Sequence, residues 1–333
     1  MTKAFFPAVE IVFPDDGIPR RAAFYLAAEE YVARTFPEGS YLFSWILNKT
    51  VVIGRNQVAH KELDIDFCRE NEIDIIRRKS GGGAVFADRN NIMWSLVTYG
   101  EDVETVFGVY SKRMADALTE VGVPVEVSGR NDILLENGRK ICGNAFYHLT
   151  NRNIVHGTML YDTTMELMQK SLLPAPEKLK ARGVQSVRTR VGFIKDYYLG
   201  SIQELRSELT KVLCSSSFSF TSDDIREIEK IEATYYTDEY QWGNVSGIVE
   251  TFSRHIDHCG EITISFSLLG SIIKDVTLSG DFFELEDAQS AFSSAFRGVP
   301  FTHKDLTVAV LTHHPERSIR GLSTSVLIDM LHT

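Results

Sequence analysis

The chain reads as an α+β protein in which helices flank short sheets and a large unit precedes a smaller one. Three observations carry that reading. An alanine-rich stretch of helical period, Arg20 to Arg34, runs straight into two strand candidates, Tyr41 to Leu47 and Thr50 to Ile53. Asn137-Gly138 stands between two strand-like runs, the strongest short signal for an antiparallel hairpin. Past Trp242-Gly243-Asn244 the pattern changes to alternating apolar and polar residues, Ile262 to Phe266 and Ile272 to Leu278, with helix candidates behind them. We therefore expect a domain over residues 1–245 and a small α+β domain over 246–333.

The remaining elements follow in order. Lys61 to Asn71 is expected as a short helix, leading into a strand at Ile73 to Ile76. Ala84 to Phe86 and Ile92 to Tyr99 are strands, and Val103 to Val121 is a helix closed by Gly122 and Pro124. Val125 to Val127 precedes a polar break, Ser128-Gly129-Arg130-Asn131-Asp132, and then the hairpin, whose returning strand spans Arg139 to Phe146. Two-residue alternation places Lys140, Cys142 and Asn144 on one face of that strand, Ile141 and Gly143 on the other. Asn153 to Tyr161 is a strand, and Thr163 to Leu172, Ser201 to Cys214 and Ser222 to Tyr235 are helices. In the small domain, Glu286 to Phe296 and Gly321 to Leu331 are the helices.

Bulk properties exclude several classes. With 333 residues, 44% apolar and 24% charged, the chain has ample material for a core. A net charge of −10 argues against a general nucleic-acid binder. No run approaches a membrane span, and acids occupy the N-terminal region where a signal peptide needs small residues. Cys68, Cys142, Cys214 and Cys259 have no metal-binding spacing, so they are expected as reduced thiols in the cytoplasm.

The most informative stretch is Arg77 to Asn91, RRKSGGGAVFADRNN. Three glycines between two strands can bring backbone N–H groups close to a ligand, or simply make a tight turn. It is not a P-loop, since the chain has no Gly-Lys pair, nor a dinucleotide fingerprint, since Phe86 stands where the third glycine belongs. Elsewhere, Pro174 to Gly192 carries Lys178, Lys180, Arg182, Arg188 and Arg190 against an acidic background, which fits an anionic ligand or a solvated loop. Trp45 is expected in the core.

Four segments in this order resemble the lipoate–protein ligase family, within the group that includes biotin–protein ligases. They are Arg77-Arg78-x-Ser80-Gly81-Gly82-Gly83-Ala84-Val85-Phe86-x-Asp88, Ser128 to Asp132, Arg139-Lys140-Ile141-x-Gly143-x-Ala145, and His156-Gly157-Thr158. Lys180 to Val191 is similar to the family's mobile adenylate-binding loop, and Ser279-Gly280-Asp281-Phe282-Phe283 to its C-terminal accessory domain. The resemblance implies a class II synthetase-like fold with mixed and antiparallel sheets, and a two-step reaction. Lipoate (or octanoate) would attack the α-phosphate of ATP to form an acyl adenylate. A lysine of a lipoyl domain, from a 2-oxoacid dehydrogenase complex or a glycine-cleavage H protein, would then take the acyl group. It also implies roles. Arg78, Ser80, Gly81, Gly82, Gly83, Ala84, Val85 and Phe86 would hold nucleotide and acyl group. Lys140 would contact both carbonyl and phosphate, Asn131 and Asp132 would lie by the phosphates, and Asp132 would contact Mg²⁺.

The chain departs from the family pattern at Ala87, where a histidine is usual, and at Asn90, where a glycine is. It also departs in the basic segment, and at Cys142 in place of a small polar residue. Two rivals are a cysteine-dependent acyltransferase of the same fold, for which Cys142 is the one available thiol, and a non-catalytic binder of lipoate or its adenylate.

Overall fold

The computed structural model describes residues 5–15, 18–100, 102–128, 132–149, 151–172, 191–237, 240–241, 250–269 and 272–332. Asn131, the basic segment over 173–190 and the expected boundary near 246 lie outside them. The chain forms two compact units: Met1–Ile53, Ala59–Arg78 and Val85–Gln241 make the first, Gly54–Val58, Lys79–Ala84 and Trp242–Thr333 the second.

The first unit is built on an eight-stranded mixed sheet. Its strands are β1 (Ala8–Val12), β2 (Tyr41–Trp45), β6 (Asn91–Tyr99), β7 (Val125–Ser128), β8 (Asp132–Leu135), β9 (Lys140–Leu149), β10 (Arg152–Leu160) and β11 (Cys214–Ser219). They lie in the order β11-β1-β2-β6-β10-β9-β8-β7. β1 runs parallel to both neighbours, and the other pairs are antiparallel. β1 and β11 are additions to the expected elements. β11 reads Cys-Ser-Ser-Ser-Phe-Ser and is a mostly exposed edge, so no apolar alternation marks it. A smaller sheet, order β4-β3-β5, joins β3 (Thr50–Ile53), β4 (Asp74–Arg77) and β5 (Val85–Ala87).

Helix α1 (Ala22–Thr35) explains why one face of the large sheet is closely covered. Its five alanines bury almost completely, so the helix can lie close to Phe43, Trp45 and Met93. The helix expected at Lys61 to Asn71 is two short ones, α2 (Ala59–Glu62) and α3 (Ile65–Glu70), the second capped by the Asp64 side chain accepting from Phe67 N–H at 2.9 Å. On the opposite face lies α4 (Val103–Glu120), where Phe107 meets Phe146 at 5.0 Å between centroids. α5 (Met165–Ser171), α6 (Ile202–Leu213) and α7 (Ser222–Glu232) follow, α6 and α7 each opening on a capping box that satisfies their first N–H groups.

The second unit holds a three-stranded antiparallel sheet, β12 (Glu250–Ile256), β13 (Gly260–Leu269) and β14 (Ile272–Gly280). α8 (Ala288–Phe296), α9 (His303–His313) and α10 (Thr324–Met330) pack on it around Phe266, Phe282, Phe292 and Phe296. β12 and α9 exceed the expected two strands and two helices. β12 has one buried residue, Ile256, and α9 carries Val308 and Leu311 exposed, which blurs the amphipathic pattern.

Phe292 is fully buried in this second core. Phe292→Ala is expected to cost about 3–5 kcal/mol, read as a lower midpoint in chemical denaturation of the whole chain.

Candidate active site

Strands β8 and β9 carry the candidate chemistry. Asp132 pairs with Gly143 and Ile133 with Cys142, but Leu134 pairs with Lys140, so Ile141 is one residue too many. This β-bulge interrupts the alternation expected from the sequence. Lys140 does not share a face with Cys142 and Asn144. The extra residue turns it to the face of Asp132 and Gly143, and its ammonium pairs with Asp132 Oδ1 at 2.7 Å. About a third of each side chain stays accessible, so the pair is open to a ligand.

Cys142 faces the other way. Its thiol is buried, donates to Asn144 Oδ1 at 3.3 Å, and is pushed up to about 12 by burial. A thiol that stays protonated at neutral pH and lies behind the sheet is a poor nucleophile, which removes the physical basis for thioester chemistry here.

Paired residues continue the Asp132 row across the sheet. Gly143 pairs with Thr158, Thr158 with Met93, and Met93 with Trp45. Paired residues share a face, so a strip passes from charged to apolar over three strand spacings, about 14 Å from β9 to β2. Beside it runs a buried polar chain. The Trp45 indole donates to Ser95 Oγ at 3.0 Å, Ser95 donates to Glu29 Oε1 at 2.6 Å, and His156 Nδ1 lies 2.9 Å from the same carboxylate oxygen. Glu29 escaped the sequence reading. Its only signal was a charged residue at a position where the alanine face of α1 turns inward.

Arg78 leaves β4 buried, with its N–H on Ile53 O at 2.9 Å and a guanidinium N–H on Val52 O at 3.1 Å. Burial lowers it to about 10, so it remains charged at neutral pH. A buried cation held this way favours an anion beside it. Phe86 is buried in β5, and Ala87, in place of the family histidine, is fully buried against the core that contains Trp45 and Met93.

Ser80 to Gly83 belong to the second unit, and their surroundings differ from a free ligand loop. Gly82 has φ +87, a conformation glycine adopts without strain, and donates its N–H to Phe282 O at 3.0 Å. A Cβ on Gly81 would stand 2.2 Å from the same carbonyl oxygen. One glycine is thus required by close backbone packing, before any ligand is considered. Arg55 N–H donates to Ser80 O at 2.9 Å, Gly280 N–H to Asn56 O at 2.7 Å, and the Arg55 guanidinium lies 3.3 Å from Glu284. Burial raises the Glu284 carboxyl and the Arg55 charge opposes that rise.

Among the described residues no group of three or more His, Cys, Asp or Glu could cage a metal. A single partly exposed carboxylate at Asp132 fits Mg²⁺ held chiefly by phosphate oxygens and water.

With this geometry in hand, comparison with known proteins is decisive. The family profile described as "Lipoyl protein ligase A/B catalytic domain" matches residues 21–214, and that of the "Bacterial lipoate protein ligase C-terminus" matches 250–331. The chain belongs to the lipoate–protein ligase family. It is 30% identical over 274 residues to lipoate-protein ligase LplJ of Bacillus subtilis, covering 79% of this chain and 82% of that one. It is 31% identical over 272 residues to lipoate–protein ligase 1 of Staphylococcus aureus, again covering 79% and 82%. The fold matches P. falciparum LipL1 in complex with lipoate at a TM-score of 0.77 and 17% identity, over 91% of this chain and 94% of that one. It also matches a lipoate-protein ligase A bound with ATP at 0.61 and 24% identity, over 72% and 100%. The enzyme is therefore a ligase of this family with the family's fold, as its motifs imply.

Gly81→Ala is expected to lift the loop from Phe282, since a backbone carbonyl cannot yield as a flexible side chain can. Amide hydrogen exchange at Gly82 should then accelerate by about the worth of one hydrogen bond, roughly 1 kcal/mol or fivefold. Unchanged protection at Gly82 would contradict the close packing.

Proposed function

We propose that this ligase joins lipoate to a lipoyl-domain lysine in two steps, with Lys140 as the group at which charge develops. In the first step a lipoate carboxylate oxygen attacks the α-phosphorus of ATP. The bond to the bridging oxygen breaks, and pyrophosphate leaves with the electron pair. In the second, the acceptor amine attacks the acyl carbon, the carbon–oxygen bond to phosphate breaks, and AMP leaves as the amine gives up its proton. The observation that carries the assignment is the Lys140–Asp132 pair, exposed at the charged end of a strip that becomes apolar toward Met93 and Trp45. A carboxylate held at Lys140 would lie at the open end of that strip, whose apolar end is buried beneath α1.

An ammonium already fixed by a neighbouring carboxylate needs little reorganisation when charge builds on the α-phosphate. Lys140 would bridge the lipoate carboxylate and that phosphate, withdrawing charge from the leaving AMP in the second step as well. Arg78 and the stretch Ser80 to Phe86 would hold nucleotide and acyl group, the buried guanidinium supplying a fixed positive charge. Asp132, together with Asn131, would lie by the phosphates and contact Mg²⁺, which when bound would neutralise phosphate charge. The acceptors would be lipoyl domains of 2-oxoacid dehydrogenase complexes or a glycine-cleavage H protein. Four unbridged cysteines suit the reducing cytoplasm. No helix among the described residues is long and apolar enough to cross a membrane.

Lys140→Ala should lower lipoate-dependent ATP–pyrophosphate exchange by about 10²–10³-fold with little change in thermal stability, because the side chain is partly solvated. An unimpaired rate would remove Lys140 from the mechanism, and lipoate binding by the wild-type chain without any exchange would make the protein a carrier. Cys142→Ala should retain most ligation with no acyl-thioester found by mass spectrometry, whereas loss of turnover together with a trapped thioester would restore the transferase.

A further inference from the structure

We infer that Gly143 is a positioning residue for Lys140: its missing side chain is the seat that lets the ammonium lie across β9 and reach Asp132. The inference rests on the role given above to Lys140 and adds how that role is made possible.

The bulge at Ile141 brings Lys140 to the face of Gly143, but on that face the two would compete for space if residue 143 had a side chain. A Cβ built on Gly143 meets Lys140 Nζ at 2.8 Å and Cε at 2.9 Å, and no other described atom beyond its chain neighbours comes within 4 Å. Gly143 therefore does not serve general packing. Nor does its backbone demand glycine, since it is absent from the residues of positive φ and pairs on both sides, with Asp132 and Thr158, as an ordinary antiparallel residue. What remains is the lysine. Its carbonyl end is fixed too: Lys140 O accepts from Gly192 N–H at 2.9 Å, and Lys140 bridges to Val191 in parallel register. With the backbone anchored at one end and Asp132 at the other, the ammonium has one short path, directly over Gly143. A methyl group there would push the flexible end of the side chain aside and leave the strand in place. A displacement on the order of 1 Å is enough to cost about a hundredfold in a reaction that depends on alignment.

The test is a double-mutant cycle read by binding, so that inactive variants remain measurable. The probe is a non-hydrolysable lipoyl-sulfamoyl-adenosine, titrated calorimetrically against the full chain as wild type, Gly143→Ala, Lys140→Ala and the double variant. Gly143→Ala is expected to weaken the probe about tenfold to a hundredfold, the range for one charge-assisted hydrogen bond, and to cost less than about twofold more once Lys140 is alanine. In turnover the single variant should lose kcat for pyrophosphate exchange. Wild-type probe affinity in Gly143→Ala would overturn the inference. So would an equal loss in the Lys140→Ala background, which would mean that residue 143 touches the ligand itself. Should Gly143→Ala lower the thermal midpoint, the double variant must recover it, because removing the lysine removes the only clash among the described residues; failure to recover also overturns the inference. If Lys140→Ala alone binds and turns over as wild type, it is the proposed function that fails.

Discussion

The ion pair between Lys140 and Asp132 exists because β9 carries one residue more than β8 across the bulge. Without Ile141 as the surplus residue, Lys140 would point with Cys142 into the layer beneath α4, where burial holds even a neutral thiol well above its ordinary range. The same single-residue offset therefore performs two separations. It brings a cation and a carboxylate together on the face that also bears Thr158, Met93 and Trp45, and it leaves the nearby sulfur on the opposite side. Bulges are common where a strand must re-aim one side chain without losing its pairing, and here the ladder resumes at once.

Charge buried near this face is handled in two ways. Glu29 is fully buried but accepts from Ser95 and lies 2.9 Å from His156 Nδ1, so its carboxyl group has polar partners within the protein. Arg78 is buried too, and one of its guanidinium N–H groups donates to the carbonyl of Val52. Partners of opposite charge make a buried ion tolerable, and dipoles alone do so less well.

Much of the architecture was legible because its signals are local. The Asn137-Gly138 turn, the alanine face of α1, the stop after α4 and the glycine stretch between two strands all depend on residues within a few positions of one another. What escaped was non-local. β1 pairs with β2 and with β11, and β11 reaches β1 from some 200 residues along the chain with almost no apolar pattern of its own. The bulge cannot be read from β9 alone, since it is defined against β8. Gly81 could be recognised as a close-approach glycine, but not that a carbonyl of Phe282 is what it approaches. The alternation expected for β9 put Lys140 on the wrong face, because the bulge shifts it by one residue. Asn131 and the basic residues over 173–190 lie outside the described part of the chain.

The hydrogen bond from Gly82 to Phe282 also bears on how the chain is made. When a ribosome has just released the glycines, the carbonyl they rest on is about 200 residues from being synthesised, some 10 to 40 s at ordinary elongation rates. During that interval segments 54–58 and 79–84 have each other, Arg55 N–H on Ser80 O, but not yet the rest of the second unit. The glycine stretch thus reaches its packing against Phe282 only after about 200 further residues have been added, a delay set by the rate of translation.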